Sequence, residues 1–159
     1  MTKSIYFAYG SNMVPAQMAQ RCPGSRALGT ARLEGYRWLI NERGVATIAE
    51  QAGGVVLGVL WELTDAHVAT LDEHEGLERG NYYRTQVRVR RDGSGAEEPV
   101  MTYIDPRSAP GLPREGYLEP IVAALEGYPF PAAYREELGA WLAGGRLPRR
   151  QGGAAPAVR

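Results

Sequence analysis

The sequence predicts an α+β fold: a small mixed or antiparallel, barrel-like sheet of about six strands with flanking helices. Three observations carry that expectation. β-rich runs outnumber helical ones and lack the regular strand–helix alternation of a doubly wound parallel sheet. One run, Val55 to Trp61, is almost wholly apolar, as suits a strand covered on both faces. Another, Tyr83 to Arg90, alternates Tyr, Thr, Val, Val against Arg, Gln, Arg, Arg, as suits a half-exposed strand.

The elements follow in order. Ile5 to Tyr9 is β-rich and runs into a Gly10-Ser11-Asn12 turn. Met13 to Arg21 suits a short helix with Asn12 or Ser11 as N-cap and Pro15 in its first turn, and "CPGS" stops it. Arg26 to Asn41 offers one or two strands, and "VATIAE" and "GVVLGVLWELT" offer two more. Gly58 inside the last of these marks a bulge or a close backbone approach. Thr64 caps a second helix, Asp65 suits its first turn, and Gly76 ends it. The alternating strand turns at "DGSG" and returns as "EEPVMTYID". After a Pro- and Gly-rich connection, "YLEPIVAALEGY" and "PAAYREELGAWLAGG" read as two amphipathic helices. Residues 1–145 are expected to form a single domain, and 146–159, rich in Gly, Pro, Ala and Arg, a disordered tail.

Bulk composition narrows the function classes. With 159 residues a single core can form, and chains of this size bury about 70% of their unfolded surface. Lys plus Arg is 18 and Asp plus Glu is 18, so the chain lacks the electrostatic bias that nucleic acid or a membrane surface demands. No apolar run is long enough to span a bilayer. The first strand starts so early that no room is left for a secretory signal. The lone Cys22 excludes an internal disulfide and fits a reducing cytoplasm. Neither a nucleic-acid nor a membrane partner is therefore expected, with oligomeric state left open.

The sharpest local feature is "TDAHVATLDEHEGLERG". On a helix, Val68, Leu71 and Glu75 are spaced by three and four and share one stripe, while Asp72 and Glu73 point elsewhere. Glu75 thus falls on the interior side and at the C-terminal end, where the helix dipole disfavours a negative charge. Desolvation and dipole both push its pKa up, which suits a group that takes and returns a proton. The competing view is a frayed helix end whose Glu turns to solvent. "DEHE" resembles a metal-ligand run, but adjacent helical side chains diverge by about 100° and cannot converge on one ion, so no metal site is expected.

The Gly10-Ser11-Asn12 turn leaves backbone N–H groups unpaired in front of a helix, a concavity that accepts anions. A capped turn without a ligand is the alternative. Neither a phosphate loop nor a dinucleotide fingerprint occurs, so the expected anion is a carboxylate or a developing oxyanion. Ser11 is not in a Gly-x-Ser-x-Gly elbow. A triad would have to recruit His67 or His74 from the helix that carries Glu75. Cys22 lies in a turn, where a free buried or semi-exposed thiol is expected, and Trp61 and Trp141 suit the core. Tyr9, Tyr82 and Tyr103 stand beside the candidate segments.

Two of these segments together, "YFAYGSNM" and "LDEHEGLERGNYY", resemble the γ-glutamylcyclotransferase family, with its Tyr-Gly-Ser-Asn loop and Leu-Asp-x-x-Glu-Gly helix end. "ARLEGYRW", "GVATI" and "GVLWELT" between them also fit, so the resemblance spans roughly residues 5 to 142. The loop differs from branches that carry Tyr-Gly-Thr-Leu or Tyr-Gly-Ser-Leu.

The resemblance implies a barrel-like mixed sheet and an enzyme that cyclises a γ-glutamyl group, releasing 5-oxoproline and an amine or amino acid, with no cofactor. It implies Glu75 as the catalytic acid and base. Tyr9, Gly10, Ser11 and Asn12 become the substrate loop, Tyr6, Phe7 and Ala8 its border, and Tyr82 and Tyr103 pocket tyrosines. Two alternatives stay open: removal of a γ-glutamyl protecting group from a biosynthetic intermediate, and a non-catalytic binding module on the same fold.

Overall fold

A computed structural model describes residues 3–142 of the chain; the expected tail at 146–159 lies outside them. Five strands close into a barrel in the order β1-β3-β2-β4-β5. They are β1 (Lys3–Ala8), β2 (Arg26–Ile40), β3 (Ala46–Thr64), β4 (Tyr83–Arg91) and β5 (Glu97–Ile104). All pairings are antiparallel except β1 with β5, where Tyr6 faces Met101 in parallel. The sheet is therefore mixed.

The count is five rather than about six because "VATIAE" and "GVVLGVLWELT" belong to one strand of 19 residues. Gln51 to Gly54, exposed or nearly so, join the two halves without breaking the strand. Its partner β2 is likewise one strand of 15 residues, bent at register shifts between Ala27 and Gly29 and between Glu34 and Tyr36. Bulges of this kind let long strands curve around a small barrel.

Closure brings β1 hard against β3 at Gly58. A Cβ there would stand 2.5 Å from the Ala8 carbonyl oxygen and 2.7 Å from the Phe7 ring. The close approach expected from the sequence is thus real.

Among the described residues, four helices flank the barrel: α1 (Pro15–Arg21), α2 (Asp65–His74), α3 (Leu118–Leu125) and α4 (Ala132–Gly139). The α1 cap departs from expectation. Ser11 to Met13 form a 3-10 turn of their own, Val14 occupies the N-cap, and Pro15 is the first helical residue. Asn12 is buried and turned inward, so it is not available to cap α1.

The α2 cap is as expected and more elaborate. The Thr64 hydroxyl accepts from the His67 N–H, and the His67 ring Nδ1 accepts from the Thr64 N–H. A histidine thus fills the place that Glu or Gln takes in the usual capping box. Its Nε2 lies 2.8 Å from the Pro23 carbonyl and donates to it, fastening α2 to the turn after α1. Trp61, Trp141 and Cys22 are buried, as expected; burial pushes the Cys22 thiol up to about 11. Among the described residues, no helix is long and apolar enough to cross a membrane, and no cluster of potential metal ligands occurs.

Candidate active site

Five consecutive backbone carbonyls define the loop after β1. Trp38 Nε1 donates to Tyr9 O at 2.8 Å. Met13 N donates to Gly10 O, and Val14 N to Ser11 O. Trp61 Nε1 donates to Asn12 O at 3.1 Å, and the Tyr128 hydroxyl to Met13 O at 2.6 Å. Every acceptor from Tyr9 to Met13 is therefore engaged. The donors are not: the N–H groups of Gly10, Ser11 and Asn12 lead the 3-10 turn and find no acceptor in it. The loop carbonyls are thus held from behind, and among the described residues no hydrogen bond takes up these three N–H groups.

Glu75 arrives from the other side. It is the C-cap of α2, and Gly76 follows at φ 67°, the left-handed conformation that suits glycine. Gly76 N donates to Glu73 O, and Leu77 N to Asp72 O, the two crossed bonds of a Schellman motif. Leu71 is fully buried on the same stripe, and Val68 packs against the core. The turn continues as Tyr82 N donates to Glu75 O. Helix packing and cap together fix Glu75 inward, its side chain 13% exposed.

The loop and Glu75 face each other across a narrow, partly open cleft. Tyr6, Tyr9, Gly10, Ser11, Asn12, Tyr82 and Tyr103 line it with Glu75, as the sequence led one to expect. Phe7 and Ala8 do not line it. Phe7 points to the opposite face of β1 from Tyr6, toward Gly58, and Ala8 is enclosed and ends in a methyl group.

Sequence reasoning missed four contributors. Tyr117, the N-cap residue of α3, lines the cleft, and its hydroxyl accepts from Ala46 N at 3.0 Å. Ala46 also lines it, and its carbonyl accepts from the Tyr82 hydroxyl at 2.8 Å. Asp72 Oδ1 accepts from the Tyr103 hydroxyl at 2.7 Å while Arg84 holds Oδ2. Arg21 Nη1 lies 3.8 Å from Glu75 Oε2. No periodicity marks Tyr117. Arg21 and Asp72 lie off the apolar stripes used to find the core.

Around the cleft the polar atoms hold one another. Asn12 Nδ2 donates to the Tyr6 hydroxyl at 2.9 Å, and Asn12 Oδ1 accepts from Gln17 and Arg21, each at 3.1 Å. The Tyr9 hydroxyl donates to Tyr103 O. The Tyr6 and Tyr103 rings meet edge to face at 5.6 Å. Arg43 lies over the Tyr82 ring and pairs with the buried Asp105.

Burial pushes Glu75 up to about 7, against the opposing pull of Arg21, the Asn12 amide and Arg43. Burial also raises Tyr6, Tyr9, Tyr82 and Tyr103, and takes Tyr117 to about 12, so the five phenols stay protonated at neutral pH. Glu75 is the one carboxyl among the residues that line the cleft, and it is poised to titrate near neutrality. Such a wall offers neutral hydroxyls, free amide donors and a single proton acceptor.

Comparison with known proteins identifies the relatives. The family described as "Gamma-glutamyl cyclotransferase, AIG2-like" matches residues 6–119. The Mus musculus gamma-glutamylcyclotransferase is 29% identical over 144 residues, covering 84% of this chain and 76% of the mouse protein. The Homo sapiens gamma-glutamylcyclotransferase is 28% identical with the same coverage. A solved structure named gamma-glutamyl cyclotransferase superposes with a TM-score of 0.79 at 27% identity, covering 97% of this chain and 94% of that one.

Proposed function

The chain belongs to the gamma-glutamyl cyclotransferase, AIG2-like family, and from that premise we propose that Glu75 is the general acid and base of a γ-glutamyl cyclisation. The α-amine of a γ-glutamyl unit attacks its own γ-carbonyl carbon. A new C–N bond closes the five-membered lactam, and the old amide C–N bond breaks. The products are 5-oxoproline and the freed amine or amino acid. One amide replaces another, so the chemistry consumes neither water nor an electron carrier.

The observation that supports this reading is a buried Glu75, with a pKa near 7, in the cleft that the free loop amides face. At neutral pH an α-ammonium group cannot attack. Ionised Glu75 takes its proton and hands it to the departing nitrogen. Because amine and carbonyl are tethered, folding the glutamyl chain into attack geometry exploits an effective molarity of about 10⁵–10⁸ M. The N–H groups of Gly10, Ser11 and Asn12 bind anionic oxygen, the α-carboxylate or the oxyanion of the tetrahedral intermediate. One oxyanion donor is typically worth about 10²–10³ in rate. Tyr6, Tyr9, Tyr82 and Tyr103 shape the cleft and present hydroxyls that stay neutral.

Glu75→Gln keeps the shape of the side chain and removes the base. Mass spectrometry should detect no 5-oxoproline from this variant across a panel of γ-glutamyl amino acids and γ-glutamyl amines, while isothermal titration still registers substrate binding. Turnover equal to the parent's would reject the role of Glu75. The same panel, run with the parent, identifies the leaving group.

A further inference from the structure

We infer that Arg21 is a positioning residue for the proposed reaction: its charge holds Glu75 in the carboxylate form without occupying the oxygen that receives the proton. The inference rests on the proposed role of Glu75 and goes one residue beyond it.

Glu75 and Arg21 are both largely buried, with side chains 13% and 23% exposed. Between them the field is poorly screened, so charge acts strongly. The separation matters more. Arg21 Nη1 stands 3.8 Å from Glu75 Oε2, too far for a hydrogen bond. The same Nη1 donates to Asn12 Oδ1 at 3.1 Å. Asn12 is fixed in turn by Tyr6 and Gln17, and its own carbonyl by Trp61. The guanidinium is thus parked on the loop. It stabilises the anion at a distance, with no direct hydrogen bond of its own to the Glu75 carboxylate.

The other groups that face Glu75 contribute less or nothing: the Asn12 amide and Arg43 also favour the carboxylate, but after Arg21. Tyr6 comes from β1, Tyr103 from β5, Tyr9 from the loop after β1, Tyr82 from the turn after α2 and Tyr117 from the N-cap of α3; all are phenols that burial keeps protonated. Arg43, on the β2–β3 hairpin, is committed to Asp105. Asp72, on α2, is the one nearby like charge, and Arg84 pairs with it at 2.7 Å. Among the described residues, the ion pair of Glu75 is with Arg21. Burial raises the Glu75 pKa, and Arg21 is the foremost group that lowers it again. Without Arg21 the carboxyl would stay protonated at neutral pH and could not deprotonate an ammonium group.

Two substitutions separate charge from anchoring. Arg21→Gln removes the charge and keeps a donor for Asn12 Oδ1, whereas Arg21→Lys keeps the charge. The Glu75 carboxyl is titrated by ¹³C NMR in the parent and both variants, alongside the pH profile of kcat/KM for 5-oxoproline release. In Arg21→Gln the midpoint and the acid limb should both move to higher pH by about one to three units. At pH 7 that is a loss of about five- to five-hundred-fold in the carboxylate form. In Arg21→Lys both should stay close to the parent's. A midpoint unmoved in Arg21→Gln, or raised equally in Arg21→Lys, overturns the inference. The NMR titration needs no turnover, so it decides the Arg21 claim even if Glu75→Gln proves active and the proposed function falls.

Discussion

Ionised Glu75 costs the fold stability, and the sign of that cost can be followed through pH. Burial lifts its pKa from 4.5 to about 7. Between those values the native state binds more protons than the unfolded chain, so stability falls as pH rises through this window and levels off above it. At about 1.4 kcal/mol per pH unit, the total is about 3 kcal/mol. Glu75→Gln, which cannot ionise, should therefore gain on the parent as pH increases. Urea unfolding at pH 5 and at pH 8 should show the difference between the two proteins widening by up to about 3 kcal/mol in favour of the variant. No widening would mean that Glu75 is better solvated than its enclosure implies. The inward face of Glu75 was legible in the sequence, because a 3.6-residue repeat ties it to Val68 and Leu71. The partners of Glu75 were not. Arg21 comes from another helix, and its approach depends on a register between α1 and α2 that the His67 bridge sets.

At the scale of the element, the end of α2 matters more than its length. Gly76 carries φ 67°, and a Cβ there would stand 2.5 Å from Asn81 Nδ2. Gly76→Ala should cost about 1–2 kcal/mol from the left-handed backbone alone, more if Asn81 cannot give way. It should also lower activity, because the crossed Schellman bonds that aim Glu75 are the ones disturbed. Thermal unfolding and 5-oxoproline assays on the same preparation check both. An alanine variant as stable and active as the parent would show that the cap does not aim the acid. The stop at Gly76 and the start at Thr64 were both legible, since each rests on one residue with one strong local preference. The start of α1 was not. Ser11 and Asn12 have N-cap chemistry, but Tyr6 and Trp61 recruit Asn12 into the interior, and tertiary bonds outweigh a local cap worth about 1 kcal/mol. Tyr117 escaped for a related reason: it stands at the N-cap of α3, and only the folded barrel brings that helix end to the cleft.

For the molecule as a whole, the barrel depends on how closely β1 can lie against β3. Gly58→Ala would set a methyl group against the Ala8 carbonyl and the Phe7 ring. Overpacking of this kind costs about 1–3 kcal/mol, and the urea midpoint should fall accordingly. An unchanged midpoint would mean that the seam between these strands is loose. The fold class was legible from strand-rich composition and alternation, and Gly58 itself was flagged as a close approach. Closure was not, because the parallel contact of Tyr6 with Met101 joins residues far apart in the chain and leaves no trace in any local window. The same long-range closure places Trp38 and Trp61 behind the loop, each donating its indole N–H to a loop carbonyl. Two of the three tryptophans are therefore wired to the backbone of the loop that lines the cleft. The intrinsic fluorescence of the protein is a built-in reporter of that loop, readable without a label or a coupled enzyme.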